Sequence, residues 1–134
     1  MINFLNKQKY LLGRIVLFSI FFWYGYLKVI GVSPAEDLVK ELFSVFHLDI
    51  ILPFKYFFIA FWLFEMLIGI GFLIGKYKKI LLLVFLFHMF TTFLPVIFLP
   101  ELVWQSFGVL TLAGQYIIKN LVLIILGVFL LGRK

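Results

Sequence analysis

Few residues of this sequence can do chemistry, and most of them interrupt stretches that are otherwise oily. Glu65, His88, Thr91, Thr92, Lys119 and Asn120 lie deep inside apolar runs, and Lys28, Gln115 and Tyr116 stand nearer to the ends of theirs. A charge at the centre of a bilayer costs at least about 3 kcal/mol, so ionisable groups there normally turn inward, pair, and mark a pathway or a binding site. Glu65 is the only acid at depth and Lys119 the nearest base. The two are therefore expected to pair, directly or through water, with Asn120, His88 and the threonines meeting the remaining hydrogen bonds. The alternative is a polar clamp that only holds helices together, and Lys28, close to a helix end, could simply snorkel.

Spacing gathers these residues into sides. Tyr24 and Lys28 are four apart, His88, Thr91, Thr92 and Pro95 share one helical face, and Gln115, Tyr116, Lys119 and Asn120 share another. At about 1.5 Å per residue, Glu65 and His88 fall near the midplane, Lys119 and Asn120 within roughly 5 Å outward, and Lys28 and Gln115 about 10 Å outward. The inner halves are almost wholly apolar. The pattern predicts a polar pocket that opens toward the outer face and closes before the cytoplasmic one.

Positioning such residues takes a membrane bundle. Of 134 residues 65% are hydrophobic and only 13% charged, with a mean hydropathy of +1.18, far from a soluble domain. Residues 10–30, 54–75, 80–98 and 113–132 are each long enough to cross a hydrocarbon core. This predicts an all-α integral membrane protein, one four-helix transmembrane domain over residues 1–134. The start, "MINFLNKQKYLLGRIVLF", resembles a secretion signal, but Arg14 lies in the run and no small-residue cleavage site follows, so a retained first helix is expected.

Basic residues in short links stay on the cytoplasmic side. Lys7, Lys9 and Arg14, then Lys76, Lys78 and Lys79, then Arg133 and Lys134 place both termini inside, with Lys40, Lys55, Glu36, Asp37, Glu41, Asp49 and Glu101 on the other face. The net charge of +6 is thus a topology signal, and no nucleic-acid partner is expected.

Between the first two spans, residues 34–47 form an expected amphipathic helix along the outer interface, as a tether or a lid. Ser33 is its N-cap, Pro34 its first position and Glu36 the return arm of a capping box. Leu38, Leu42, Val45 and Phe46 are its apolar side, and Asp37, Lys40, Glu41 and Ser44 its polar side.

Gly71 and Gly75 have the small-xxx-small spacing of closely packed helices. The 19 Phe residues suit a planar ligand such as a quinone, although Phe also faces lipid. Trp104 reads as an interfacial anchor. His47 and His88 lie at levels too different to share one haem. With no Cys, dithiol relays, Fe–S clusters and thiolate metal sites are excluded, and no metal site or intrinsic cofactor is expected.

The segments "GRIVLFSIFFWYGYLKVIGVSPAEDLV", "FEMLIGIGFLIG", "TTFLPVIFLP" and "LTLAGQYIIKNLVLIILG" resemble the DoxX family of small four-helix bacterial membrane proteins, including its YkgB-like relatives. The resemblance covers nearly the whole chain. It rests on Trp23, Gly25 and Lys28, on Glu65 and Gly69, on Thr91, Thr92 and Pro95, and on Gly114, Gln115, Tyr116, Lys119 and Asn120. At Ala113 the chain departs from relatives that carry an acid there. The resemblance implies a multi-pass protein of the bacterial inner membrane, associated with quinol-oxidase, thiosulfate–quinone or oxidative-stress complexes. The pocket is therefore expected to draw on Trp23, Tyr24, Lys28, Glu65, His88, Thr91, Thr92, Gln115, Tyr116, Lys119 and Asn120. Three functions fit: a redox-associated accessory subunit binding a quinone or similar small molecule, a binding or transport module for a small polar solute, or a structural subunit. Expected partners are the lipid bilayer, a membrane oxidoreductase or other subunits, and further copies of the chain.

Overall fold

A backbone in hydrocarbon must satisfy its hydrogen bonds within its own segment, which turns the long apolar runs into helices. A computed structural model describes residues 1–132, and the Arg133 and Lys134 invoked in the orientation argument lie outside the described residues. The principal helices are α1 (Ile2–Val29), α3 (Phe54–Ile74), α4 (Lys78–Thr92), continued by the short α5 (Leu94–Phe98), and α7 (Leu112–Leu131). Four helices are long and apolar enough to cross a bilayer, which makes this a multi-pass membrane protein by length and composition.

The four form a closed ring, α1 against α3, α3 against α4, α4 against α7, and α7 back onto α1. Leu17, Phe21, Ile68, Phe72, Phe85 and Met89 fill its centre. Lipid is as apolar as leucine, so close packing rather than water exclusion must hold such helices. At the α1–α3 contact a Cβ on Gly69 would lie 3.2 Å from the backbone oxygen of Phe18 and 3.2 Å from the nitrogen of Phe22. The close α1–α3 approach is thus at Gly69 and at Gly25, whose Cβ would lie 3.2 Å from the Trp62 carbonyl oxygen, while the expected Gly71 packs closely on α4 instead. Gly71 faces the Leu81 side chain, and Gly75 ends α3 with φ 69°, a left-handed C-cap that favours glycine.

Arg14 belongs to this end of the bundle. Its Nε donates to the Phe72 carbonyl at 2.8 Å and its Nη2 to the Leu73 carbonyl. The guanidinium of one helix therefore satisfies the last carbonyls of another, where a cation is favoured.

The span expected over residues 80–98 is interrupted at Phe93, where α4 gives way to α5. Pro95 removes an N–H and disfavours helical backbone at the residue before it. The Thr91 and Thr92 hydroxyls donate to the carbonyls of His88 and Met89, each at 2.7 Å, a back-bonding that bends helices.

In the first link α2 runs Glu36–Val45, starting two residues later than expected. Ser33 Oγ accepts from the Ala35 N–H at 3.3 Å, and no side chain caps the helix, so the Ser33–Glu36 capping box does not form. Its buried residue is Phe43, whose ring lies 5.4 Å from Phe54 and 4.9 Å from Phe57, while Phe46 meets Phe98 at 4.8 Å. The packed stripe therefore centres on Phe43, and Val45 is exposed. Asp37, Lys40, Glu41 and Ser44 face out as expected. Leading into α7, α6 (Pro100–Val103) and a hairpin of β1 (Trp104–Ser106) with β2 (Val109–Leu110) were not foreseen. Gly108, with φ 76°, makes the hairpin turn. Thr111 then caps α7, accepting from the Gly114 N–H at 3.1 Å.

Candidate functional site

Three helices each send one ionisable side chain to the same point. Lys28 comes from the last turn of α1, Glu65 from the middle of α3 and His88 from α4. They are 6%, 7% and 2% exposed, respectively. Lys28 Nζ lies 2.6 Å from Glu65 Oε2, and His88 Nε2 lies 3.4 Å from Glu65 Oε1. Each carboxylate oxygen thus faces a different base. Lys28 also donates to the Tyr24 carbonyl at 3.4 Å, one turn back along α1.

Aromatic rings exclude water from the cluster. Phe21, Phe61 and Phe64 have centroids 5.8, 5.6 and 5.7 Å from that of His88. The Lys28 ammonium stands 5.6 Å from the Phe61 centroid, within cation–π range. In such surroundings a lone charge is costly, and the ion pair is held by geometry and by the extra donors around it.

The expected partnership of Glu65 with Lys119 is not what forms. Around the ring α3 neighbours α1 and α4, whereas α7 neighbours α4 and α1, so Lys28 is on an adjacent helix and Lys119 is across the bundle. Lys119 is exposed, its Nζ 5.6 Å from the Tyr116 ring centroid. Asn120 turns inward instead, donating from Nδ2 to Thr92 Oγ1 at 3.3 Å and tying α7 to α4. Gln115 and Tyr116 are exposed on α7, and the Trp23 and Tyr24 side chains are exposed on α1. The single expected pocket is therefore a Lys28–Glu65–His88 cluster, a separate Thr92–Asn120 link, and an exposed polar face of α7.

Most of the lining of the opening onto the cluster was not foreseen. A groove of about 410 Å³ between the end of α1 and the start of α3 is lined by Lys28, Glu36, Phe54, Lys55, Phe58 and Trp62 among others. Lys28 is both its inner wall and the partner of Glu65. Glu36 was read only as a capping residue and an outer-face charge, and Lys55 only as an outer-face charge, because only folding brings the start of α2 over the start of α3. A second hollow, of about 590 Å³, lies by the hairpin against Pro100, Trp104, Ser106, Phe107 and Gly108 and has no charged lining. Aromatic walls with one anchored ammonium at the base suit a ring-bearing ligand that offers an oxygen acceptor. No family model, curated protein or solved structure matches this chain.

Proposed function

We propose that this chain is a membrane-embedded binding subunit for a quinone-class ligand, belonging with the DoxX proteins it resembles. It serves a redox complex of the bacterial inner membrane, with both termini cytoplasmic, the groove toward the outer side and α2 along the outer interface. Electrons come from a partner in this reading, and with no cysteine the sequence offers no dithiol or Fe–S centre of its own. The observation that carries the reading is that Lys28, whose ammonium is pinned to Glu65 at 2.6 Å, is also a lining residue of the aromatic-walled groove. A lysine has three donors. One holds Glu65, and another is free for a ring carbonyl while Phe54, Phe58 and Trp62 pack on the ring. Glu65 fixes the ammonium, so the ligand need not order it.

The test is binding. Quinone should extract with protein purified from native membranes, and decylubiquinone should quench Trp62, identified by loss of the signal in Trp62→Phe. Lys28→Met removes one charge-assisted hydrogen bond of about 1.5 to 3 kcal/mol, an affinity loss of roughly 10- to 100-fold. Absence of extracted quinone together with unchanged decylubiquinone affinity in Lys28→Met would defeat the proposal. A second reading, a small anionic solute, draws on the presence of both Lys28 and Lys55 in the groove, and predicts thermal stabilisation by succinate or phosphate without quinone.

A further inference from the structure

The Lys28–Glu65–His88 cluster contains one more base than its single carboxylate requires. With Lys28 on Glu65 Oε2 and His88 beside Oε1, the ammonium and carboxylate already cancel, so charge balance asks nothing of the imidazole. Among the described residues, the charged groups facing His88 are Glu65 from α3 and, through it, Lys28 from α1. From α7, also packed on α4, no charged group reaches ion-pair distance, and Lys119 is exposed. Beyond the cluster, toward the Lys76–Lys79 turn, the interior is Leu17, Phe21, Phe72, Leu81 and Phe85.

An anion entering the groove passes Lys55 and Glu36 on its lining and reaches Lys28 at its inner wall. If Lys28 turns to it, Glu65 loses its counter-charge inside a ring of phenylalanines, which is the costly case for a buried carboxylate. His88 Nε2, 3.4 Å from the other oxygen, is placed to supply the missing charge. We propose that the groove takes up an anionic ligand together with one proton, held on the His88 imidazole, whereas a neutral ligand enters without one. The balance is simple: the anion pairs with Lys28, one proton from the buffer bonds to Nδ1, the ring nitrogen turned away from Glu65, and the imidazolium pairs with Glu65 through Nε2–H. Because the interior past His88 is apolar, that proton enters and leaves through the groove, and the cluster is a local proton store rather than a transmembrane path. This rests on the groove being the ligand site.

The test compares two ring ligands of opposite character on the intact detergent-solubilised protein. One is decylubiquinone, which is neutral, and the other an alkylated 2-hydroxy-1,4-naphthoquinone, an anion throughout the range used. Calorimetric titration in two buffers of different ionisation enthalpy should give an uptake of about one proton per bound anion and none per neutral quinone. Proton uptake on binding means that affinity for the anion falls as pH rises, by about tenfold per pH unit while the free site stays unprotonated. His88→Gln should abolish the uptake. Anion binding without proton uptake, uptake that persists in His88→Gln, or binding of the neutral ligand alone would each overturn the inference. The comparison of the two ligands on the native protein needs no variant. Failure of both ligands to bind would instead remove the quinone reading on which the inference rests.

Discussion

Replacing Lys28 and Glu65 singly and together distinguishes a true buried pair from two independent polar residues. The contact is 2.6 Å long with the two side chains 4% and 10% exposed, so neither charge has water to fall back on. Removing one partner of such a pair costs about 3 to 5 kcal/mol, whereas replacing both with apolar residues of similar volume is often close to neutral. The two single changes should not be equal. Lys28→Met leaves Glu65 with His88 at 3.4 Å as a substitute, and should fall at the low end. Glu65→Leu leaves Lys28 with only the Tyr24 carbonyl at 3.4 Å, and should fall at the high end. The double variant should recover most of either loss. Unfolding by SDS titration in bicelles, read by near-ultraviolet circular dichroism, measures all four proteins on one scale. Strict additivity, within the ~0.5 kcal/mol seen for independent sites, would show that the two residues do not interact and would refute the reasoning.

Other expectations are briefer. Lys119→Leu, on the exposed face of α7, should change stability by no more than ~0.5 kcal/mol in the same titration, and a loss as large as that of Lys28→Met would restore it as the partner of Glu65. Gly69→Leu should destabilise by at least ~1 to 3 kcal/mol, because its Cβ would press on the backbone of Phe18 and Phe22, and it should loosen the α1–α3 contact in hydrogen exchange. For the orientation, Glu41→Cys should react with an impermeant maleimide from outside the inner membrane, whereas Lys78→Cys should react only once the membrane is breached. The reverse pattern would invert the proposed topology.

The spans were legible because each depends on one long apolar run, and α3 and α7 begin and end within a residue or two of the ranges read from hydropathy. Pairing was not. Depth along a helix follows from counting residues, so Glu65 and His88 were placed at one level correctly, but which helix stands beside which is not written in any single span. Lys119 is nearer in level, yet Lys28 is on the adjacent helix. A lysine near a helix end also reads as a snorkelling residue, and only the packing of α1 on α3 turns it inward. The hairpin escaped for another reason. Three residues and two residues are too few to show an alternating pattern. In α2, Leu38 and Leu42 are half-buried as read, whereas Val45 and Phe46, the latter just past the helix end, are exposed, and the aromatic contacts of Phe43 with Phe54 and Phe57 decided which residue faced inward.

The bond from Arg14 to the end of α3 also bears on how the chain is made. Its acceptor at Phe72 lies 58 residues later, and at about 5 to 20 residues per second the ribosome needs roughly 3 to 12 seconds to reach it. During that interval α1 carries a guanidinium with no protein partner, and the long side chain must lean toward the headgroups to stay hydrated. Only once the tail of α3 emerges can the guanidinium exchange headgroups for the Phe72 and Leu73 carbonyls, so this tie between the early helix and the late one is among the last contacts that the chain can make.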